Sequence, residues 1–470
     1  MFFRKPNPPL PWTEKQKHYH SKTKEPHFFH NPRIKNTAFV SLFILAWIFI
    51  LLFWFPLTKN DTKISKTTCN GNFSVYVYNL PPDFNSGLLT NCRHLNIYTD
   101  MCPHVANFGM GHPISDLGPP SPAARSDYPS WFATHQFIGE MIFHARVENH
   151  PCRTWDPSKA TIFYVPFYGG LDASSNFRES NLTKRDSLAV RLVDFLKTQP
   201  LWKRKHGKDH FIALGRTAWD FMRSESGPDF GANCLLNLPE VKNMSVLTVE
   251  RQPWQGKNQF GIPYPSYFHP NTRQEMLAWQ NKVRQSHRPH LFSFIGGPRK
   301  GLEKAAIRDE LIRQCLDSTN CELLLCGSNR VTKCHNPGDV LGSMTRTEFC
   351  LQAPGDSFTR RSTFDSVLAG CIPVFFSPHT AYTQYAWFLP GEAKEYSVFI
   401  DEKSEASKRI EEELLKIPNE EKVRMRENVI NLIPRITYAH PNASDVGFLD
   451  AVDVALAALD EHVWEKMLVD

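Results

Sequence analysis

Two adjacent arginines, Arg360 and Arg361, and a carboxylate four residues later, Asp365, are the residues in this chain best suited to binding chemistry. They follow a polar turn that includes Ser357 and lie where a helix is predicted to begin. Guanidinium groups beside the unpaired N–H groups of a first helical turn favour a diphosphate, and the carboxylate suits ribose hydroxyls. The alternative is an Arg361–Asp365 pair on a solvated helix face, which contributes only a few tenths of a kcal/mol.

A strand–helix–strand unit is predicted to position these side chains. An apolar run at 349–353 indicates a buried strand, and a second run at 372–376 indicates the next. Between them, Phe364, Val367 and Leu368 recur on one helical face, and Gly370 occupies a helix end that favours positive φ. Units of this kind bind ligands at the carboxyl ends of their strands.

The turn after the apolar run 291–295 is a second candidate anion site. Gly296 and Gly297 allow close approach of the backbone, and Arg299 lies near the start of the next helix. The order of residues differs from that of a Walker phosphate loop. The chain contains no Asp-x-Asp sequence, so we predict no metal site and expect arginines and helix dipoles to carry leaving-group charge.

A general base is expected at a strand end or on the first helix. The candidates favoured are Asp172, which follows the strong apolar run ending near Tyr168, and His135; Glu140 and His210 are further candidates. Each is individually more often structural. Six aromatic residues can stack on sugar rings, although core packing is the default for any one of them. They are Trp131, Tyr168, Trp219, Trp254, Tyr264 and Tyr267.

The net charge of +6 is concentrated at one end of the chain. Residues 1–35 carry eight basic side chains against two acidic ones, so the remaining residues are neutral overall. Proteins that bind nucleic acid usually concentrate positive charge on their folded part. That class is therefore set aside, and no nucleic-acid partner is expected.

Residues 37–57 are uncharged and almost wholly apolar, which predicts a transmembrane signal anchor. A cleaved signal peptide would have a shorter apolar core nearer the N-terminus. The positive-inside rule places residues 1–36 in the cytosol as a basic tail, with 58–70 as a stem. The modest length of the span favours an early secretory membrane.

The remainder of the chain has the features of a lumenal protein. All eleven cysteines follow the predicted anchor, and disulfides form in that compartment, although the sequence does not define their pairing. Asparagines in the Asn-x-Ser/Thr pattern are candidate glycosylation sites. Five occur, of which Asn60 is expected to lie too close to the membrane for efficient modification. The candidates are therefore Asn72, Asn181, Asn243 and Asn442.

Alternating strand and helix patterns predict an α/β fold in two domains, one at 71–285 and one at 286–470 that ends in a closing C-terminal helix. A helix is predicted over 130–147 and a polar linker over 280–289.

Several motifs, in order along the chain, resemble the exostosin family of glycosyltransferases (glycosyltransferase family 47), and within it the plant xyloglucan galactosyltransferases. They are TWDP (154–157), FYVPFYGGLD (163–172), KDHF (208–211), GR (215–216), ER (250–251), FGIPYP (260–265), the segment 349–376 and AYTQY (381–385).

The resemblance implies a GT-B fold, with two facing Rossmann-like domains, the acceptor-side domain at 71–285 and the donor-nucleotide domain at 286–470. It also implies an inverting enzyme that needs no cofactor. The donor would be a UDP-sugar, most simply UDP-galactose, and the acceptor xyloglucan or a related polysaccharide. It also implies a type II Golgi membrane protein, able to form complexes with other Golgi glycosyltransferases.

In the family, a basic residue after the first donor-domain strand meets the diphosphate, which corresponds to Arg299. The family's Arg–Glu pair corresponds to Arg361 and Asp365, with one extra residue of spacing and Asp in place of Glu, so that either Arg360 or Arg361 can fill the role. The rival hypotheses are transfer of galacturonic acid, xylose or arabinose, and a non-catalytic polysaccharide-binding scaffold.

Overall fold

The computed structural model describes Cys69, residues 73–114, Leu117 and 128–469, apart from 225–229, Gln255, Lys300, 328–332, Pro390 and 444–445. The predicted tail, membrane anchor and most of the stem, together with Asn72, lie outside these residues. Within the described part of the chain, no helix has both the length and the apolar character needed to cross a bilayer.

A six-stranded sheet forms the first half of the described chain, in the order β2-β1-β3-β4-β5-β6, and all its pairings are parallel. Its strands are β1 Val75–Val77, β2 Arg153–Thr154, β3 Ile162–Tyr164, β4 His210–Thr217, β5 Ser245–Glu250 and β6 Gln259–Gly261.

A five-stranded sheet forms the second half, in the order β11-β10-β9-β7-β8, again with parallel pairings throughout. Its strands are β7 His290–Gly296, β8 Cys321–Leu325, β9 Thr347–Gln352, β10 Ile372–Phe375 and β11 Val398–Phe399. These two parallel sheets with their helices confirm the predicted α/β fold.

Twelve α-helices accompany the strands in the described residues. They are α1 Cys102–Val105, α2 Gly139–Glu148, α3 Gly169–Ser175, α4 Leu182–Thr198, α5 Pro200–Lys205, α6 Arg273–Gln285, α7 Ile307–Asp317, α8 Pro337–Thr345, α9 Arg361–Leu368, α10 Ile410–Leu415, α11 Asn419–Ile436 and α12 Ala451–Val469.

The apolar strands of the first sheet are buried on both faces. Phe163 and Ile212 pack into one core cluster, whereas their chain neighbours Tyr164 and Phe211 pack into another. Adjacent side chains of a strand point to opposite faces, so helices that cover both faces require a continuous apolar run instead of an alternating one.

The C-terminal helix α12 returns to the first half of the chain. The Arg146 guanidinium on α2 donates to the Asp450 carboxylate just before α12 at 2.8 Å, and both side chains are buried. His150 and Asp453 make a second contact at 2.8 Å. The arginine beside Asp450 lowers the pKa of that carboxyl against the opposing effect of its burial.

Two sequence-based predictions were partly wrong. The helix predicted over 130–147 begins only at Gly139, because Trp131 forms an isolated antiparallel bridge with Phe268 and stacks on its ring. The predicted linker at 280–289 begins inside helix α6, where Gln280 and Val283 are buried.

Ten of the eleven cysteines form disulfides. The pairs are Cys69–Cys152, Cys92–Cys102, Cys315–Cys321, Cys326–Cys334 and Cys350–Cys371. The last pair joins β9 to the residue before β10, so it fastens together the two strands that flank helix α9.

Replacing Arg146 with methionine should destabilise the fold by about 3–5 kcal/mol, because it leaves the Asp450 carboxylate buried without its cation. The matched control is Arg284→Met, which removes the half-exposed pair with Glu427 and should cost about 1 kcal/mol or less. Denaturant unfolding of the two variants checks this, and equal losses would contradict it.

Candidate functional site

The carboxyl-terminal edges of the two sheets meet at Glu250, the last residue of β5. Its carboxylate accepts hydrogen bonds from the backbone N–H groups of Phe358 at 2.9 Å and Thr359 at 3.3 Å, in the loop after β9. Close by, the side chain of Gln384 accepts from the Arg251 N–H and donates to its carbonyl. The loop that was predicted to bind nucleotide is therefore anchored by the first half of the chain.

The predicted strand–helix–strand unit is confirmed in the second sheet. Strands β9 and β10 pair in parallel on either side of helix α9. Arg360 is the residue preceding the helix, with extended backbone angles, and Arg361 is its first helical residue. Gly370 has a φ of 61°, as expected at the end of this helix.

Three arginines, Arg299, Arg308 and Arg360, gather at the ends of β7 and β9, and we call them the arginine cluster. Asp356 contacts two of them, with its carboxylate 3.2 Å from Arg299 Nε and 3.6 Å from Arg360 Nη2. Arg360 Nη2 is buried and has no hydrogen-bond acceptor among the residues described. Excess positive charge with an unsatisfied donor suits an anionic ligand.

Arg308 is the member of the arginine cluster that sequence reasoning missed. It lies in the first turn of α7, donates to the Gly297 carbonyl at 2.7 Å, and reaches the Pro354 carbonyl at 3.3 Å. Burial, reinforced by the neighbouring Arg360 and Arg299, lowers its pKa to about 10. The detectable signal was its position in the helix after the Gly-Gly-Pro-Arg turn, where anions bind.

Gly355 and Ser357 shape the loop beneath Arg360. A Cβ at position 355 would overlap the Arg360 guanidinium, so a larger residue there would displace that side chain from its present position. The predicted nucleotide-site residue Ser357 is buried, and its hydroxyl lies 3.4 Å from the Thr359 carbonyl. The hydroxyl also hydrogen-bonds the Glu250 carboxylate.

Arg361 points away from the arginine cluster towards the first half of the chain. Its guanidinium donates to the Thr134 carbonyl at 2.7 Å and lies 3.6 Å from the centre of the Tyr267 ring. The Arg361–Asp365 contact does form, at 3.6 Å, but it is buried instead of lying on a solvated face. The Asp365 carboxylate also accepts from the Ser266 hydroxyl at 2.5 Å.

Burial raises the pKa of two carboxyl groups, Glu250 at the end of β5 and Asp172 in helix α3. The pKa of Glu250 rises to about 7, against the opposing effects of its hydrogen bonds from Ser357, Phe358 and Thr359 and of Arg360. That of Asp172 also rises to about 7. Asp172 Oδ1 accepts from the Asn176 amide at 2.9 Å, whereas Oδ2 is buried without a hydrogen-bond donor from the described chain.

Asp172 lies at a cavity of about 300 Å³ in the first half of the chain. Asp83, Asn176, Lys184 and Arg191 are among the residues that line it. A carboxylate with a raised pKa and an unsatisfied oxygen has the properties of a general base.

The other base candidates lie in more restrictive surroundings. Burial, with His104, Arg361 and Arg216 nearby, lowers the pKa of His135 to about 3. Glu140 is fully buried and accepts from the N–H groups of Gly170 and Leu171, in the first turn of α3, and of Gly215 in β4, which holds the start of α3 beside that strand.

His210 is equally enclosed. Its ring nitrogens contact Asp209 Oδ1 at 2.7 Å and the Tyr78 hydroxyl at 2.6 Å. Across the described residues, no three His, Cys, Asp or Glu side chains are arranged to hold a metal ion.

Comparison with known proteins assigns the chain to a family. The exostosin GT47 domain matches residues 69–414, which include both sheets and the arginine cluster. The chain belongs to the exostosin family. This confirms the resemblance drawn from the motifs.

Three proteins from Arabidopsis thaliana illustrate the relatives of this chain. "Probable xyloglucan galactosyltransferase GT17" is 61% identical and aligns over 97% of this chain and 96% of its own length. "Xyloglucan galactosyltransferase MUR3" is 46% identical over 84% of this chain, which spans 63% of that protein. "Xyloglucan-specific galacturonosyltransferase 1" is 37% identical over 87% of this chain, which spans 60% of it.

Solved structures resemble this exostosin-family chain only weakly. A glycosyltransferase from Rickettsia africae has a TM-score of 0.34 and 7% identity, over 70% of this chain and 95% of its own. The Anabaena protein Alr3699/HepE, in complex with UDP, has a TM-score of 0.31 and 9% identity, over 66% of this chain and 79% of its own.

The raised pKa of Glu250 predicts a measurable pH dependence of stability. A carboxyl group that binds its proton more tightly when folded makes the fold less stable as pH rises from about 4.5 to about 7. Glu250→Gln removes this term, so its free energy of unfolding should fall less steeply over that range, by up to about 1.4 kcal/mol per pH unit. Denaturant unfolding at a series of pH values measures the slope.

The matched control is Glu140→Gln, since burial raises the pKa of Glu140 to about 7 as well. Both variants should flatten the pH profile, but only Glu250→Gln should speed hydrogen exchange at the amides of Phe358 and Thr359. Wild-type slope and wild-type exchange in Glu250→Gln would refute the assignment.

Proposed function

We propose that this protein is an inverting glycosyltransferase that transfers galactose in β linkage from UDP-galactose to xyloglucan side chains. The observation that carries the proposal is the arginine cluster, which gathers positive charge at the carboxyl edge of one sheet and faces the edge of the other. The names of the relatives, most of them xyloglucan galactosyltransferases, support the choice of donor and acceptor.

The finer architecture we propose is GT-B, with residues 71–285 as the acceptor-side domain and 286–470 as the donor domain. Parallel sheets whose carboxyl edges meet at Glu250 support this division. In such an arrangement the nucleotide lies on the second sheet and the acceptor enters from the first.

In the proposed reaction, an acceptor hydroxyl oxygen attacks the anomeric carbon as the bond from that carbon to the UDP oxygen breaks. Asp172 takes the hydroxyl proton, and its pKa of about 7 supports this choice over His135, whose pKa of about 3 makes it a weak base. Arg299 and Arg360 stabilise the charge that develops on the diphosphate. The arginines supply this charge without requiring a cofactor.

Arg360 is the proposed diphosphate ligand among the two adjacent arginines. It lies beside Arg299 and Asp356, with a buried donor available. Arg361 instead joins the halves through Thr134 and Tyr267, and holds Asp365. Asp365 would have to exchange these contacts to reach a ribose.

We also propose a type II Golgi membrane protein with its enzymatic part in the lumen. The apolar segment 37–57 and the five disulfides support this location, because disulfides persist in oxidising compartments. Asn181 and Asn442 are exposed, as glycosylation requires, whereas Asn243 donates to the His206 carbonyl. Complexes with other Golgi glycosyltransferases are part of the same proposal.

Incubation of the purified full chain with UDP-sugars and xyloglucan oligosaccharides should yield a galactosylated product. The donors compared are UDP-galactose, UDP-galacturonic acid, UDP-xylose and UDP-arabinose, with mass spectrometry to identify the added sugar. Product from a different donor would correct the sugar, and absence of product with every donor would refute the enzymatic proposal in favour of a scaffold.

Arg360→Ala should weaken UDP binding at least tenfold, about 1.4 kcal/mol, because a buried charge-assisted contact is lost. Arg361→Ala should reduce stability more than UDP affinity, since it leaves Asp365 buried without its cation. The control is Arg313→Ala, which removes only exposed pairs on α7. Calorimetric titration with UDP tests this, and equal affinities for Arg360→Ala and Arg313→Ala would contradict it.

A further inference from the structure

Four aromatic rings from both halves of the chain meet beside the arginine cluster. Trp219 follows β4, Trp254 follows β5, Phe358 lies in the loop after β9, and His379 follows β10. The Trp254 ring is centred 5.7 Å from Phe358, 5.3 Å from His379 and 6.4 Å from Trp219, and Phe358 and His379 are 5.2 Å apart. We call these four residues the ring cluster.

Trp254 is held in place yet remains largely open to solvent. It is 64% exposed, although three rings pack around it. Its backbone N–H donates to Gln252 Oε1 at 2.5 Å, and the Gln252 N–H donates to Gln259 Oε1 at 3.0 Å. A fixed indole that leaves much of its apolar surface in water suits a ligand better than a core.

The other aromatic residues that were candidates for sugar stacking have different environments. Trp131, Tyr168, Tyr264 and Tyr267 are each 7% exposed or less, so they belong to the core. Of the six candidates, only Trp219 and Trp254 lie in the ring cluster.

The position of the ring cluster indicates which part of a ligand it contacts. The carboxyl edge of the second sheet carries, in spatial order, His379 after β10, the loop with Phe358 and Arg360 after β9, and Arg299 after β7. The ring cluster therefore lies on the β10 side of the arginines, and a ligand whose diphosphate binds between Arg299 and Arg360 contacts it by extending in that direction. Phe358 belongs to the loop that Glu250 anchors, so the two parts of the site are fixed together.

The chemistry of the ring cluster suits an uncharged sugar. One face of a pyranose ring exposes C–H groups that pack on an aromatic surface, while its hydroxyls stay at the rim. The open area is about that of one indole, far smaller than the roughly 800 Å² per partner of a stable protein interface.

We propose that Trp254, supported by the ring cluster, stacks on a pyranose ring of the substrate. This inference rests on the proposed function, and the ring is either the hexose of the UDP-sugar or a residue of the polysaccharide acceptor next to the reacting hydroxyl. Trp254 is in both cases a binding residue that sets the sugar's orientation towards the arginine cluster.

The test compares Trp254→Ala, Trp254→Phe and Trp464→Ala in the full chain. Trp464 is a matched control because it is 63% exposed, about as much as Trp254, but lies elsewhere, on α12. Two residues later, Lys466 donates to the Asn243 carbonyl, which precedes β5 at the opposite edge of the first sheet. Calorimetry measures the affinities for UDP, UDP-galactose and a xyloglucan oligosaccharide, and initial rates give KM for donor and acceptor.

Trp254→Ala should leave UDP affinity within about twofold of wild type while weakening binding of one sugar-bearing ligand about tenfold, the size expected for a lost stacking contact. Weaker UDP-galactose binding assigns the ring to the donor hexose, and weaker oligosaccharide binding with a raised acceptor KM assigns it to the acceptor. Trp254→Phe should restore most of the loss, and Trp464→Ala should match wild type.

Wild-type affinities for all three ligands in Trp254→Ala would overturn the inference. So would a loss of affinity for UDP as large as the loss for UDP-galactose, because it would place the indole on the nucleoside. Failure of the proposed function has a different signature, in which the wild type neither binds UDP nor forms product. Oligosaccharide titration of Trp254→Ala then still decides whether the indole contacts a saccharide.

Discussion

The contact between the Glu250 carboxylate and the loop after β9 is the interaction on which the rest of the site depends. One side chain from the first sheet satisfies backbone donors from the second, and the same loop carries Asp356, Arg360 and Phe358. Because this carboxylate is fully buried, its desolvation is tolerable only when these donors are in place. The conformation of the loop after β9 is thereby tied to the correct assembly of both halves.

The arginine cluster concentrates like charges, which electrostatics alone would disfavour. Protein dipoles offset part of this repulsion, since Arg308 points at the carbonyls that end β7 and β9, and Asp356 lies between the other two arginines. What remains is a positive site whose arginines are positioned by these contacts without a ligand. Preorganised charge of this kind stabilises a departing anion without reorganisation during the reaction.

The strand–helix–strand unit around α9 was predicted well because the residues that define it are close together in the sequence. The strands around α9, the Gly370 helix end and the place of Arg299 all follow from apolar runs and turn residues within a few positions. Prediction from the sequence failed where distant residues decide the outcome. Trp131 lies in a helical pattern but bridges Phe268, a contact that no short window contains.

Contacts with distant residues also decide the roles of individual site residues. Nothing in the spacing of Arg360 and Arg361 distinguishes them, because their difference arises from Asp356 on one side and Thr134 with Tyr267 on the other. Glu250 appeared in the sequence only as part of the ER motif at 250–251, and Arg308 only as a cation in the helix after the Gly-Gly-Pro-Arg turn. The partners of Glu250 lie about a hundred residues away in the sequence. The carbonyls after β9 that Arg308 contacts lie 45 or more residues away.

The return of the C-terminal helix to the first sheet has a consequence for biosynthesis. Arg146 emerges from the ribosome roughly three hundred residues before Asp450, the carboxylate that neutralises it. Until the last segment of the chain has been made, the amino-terminal half therefore lacks the helix that covers one face of α2 and the carboxylate that pairs with Arg146. A chain truncated before α12 would therefore be destabilised around α2, which is far away in the sequence. A chaperone that shields this face of α2 during synthesis would act on a region that is already translated but not yet folded.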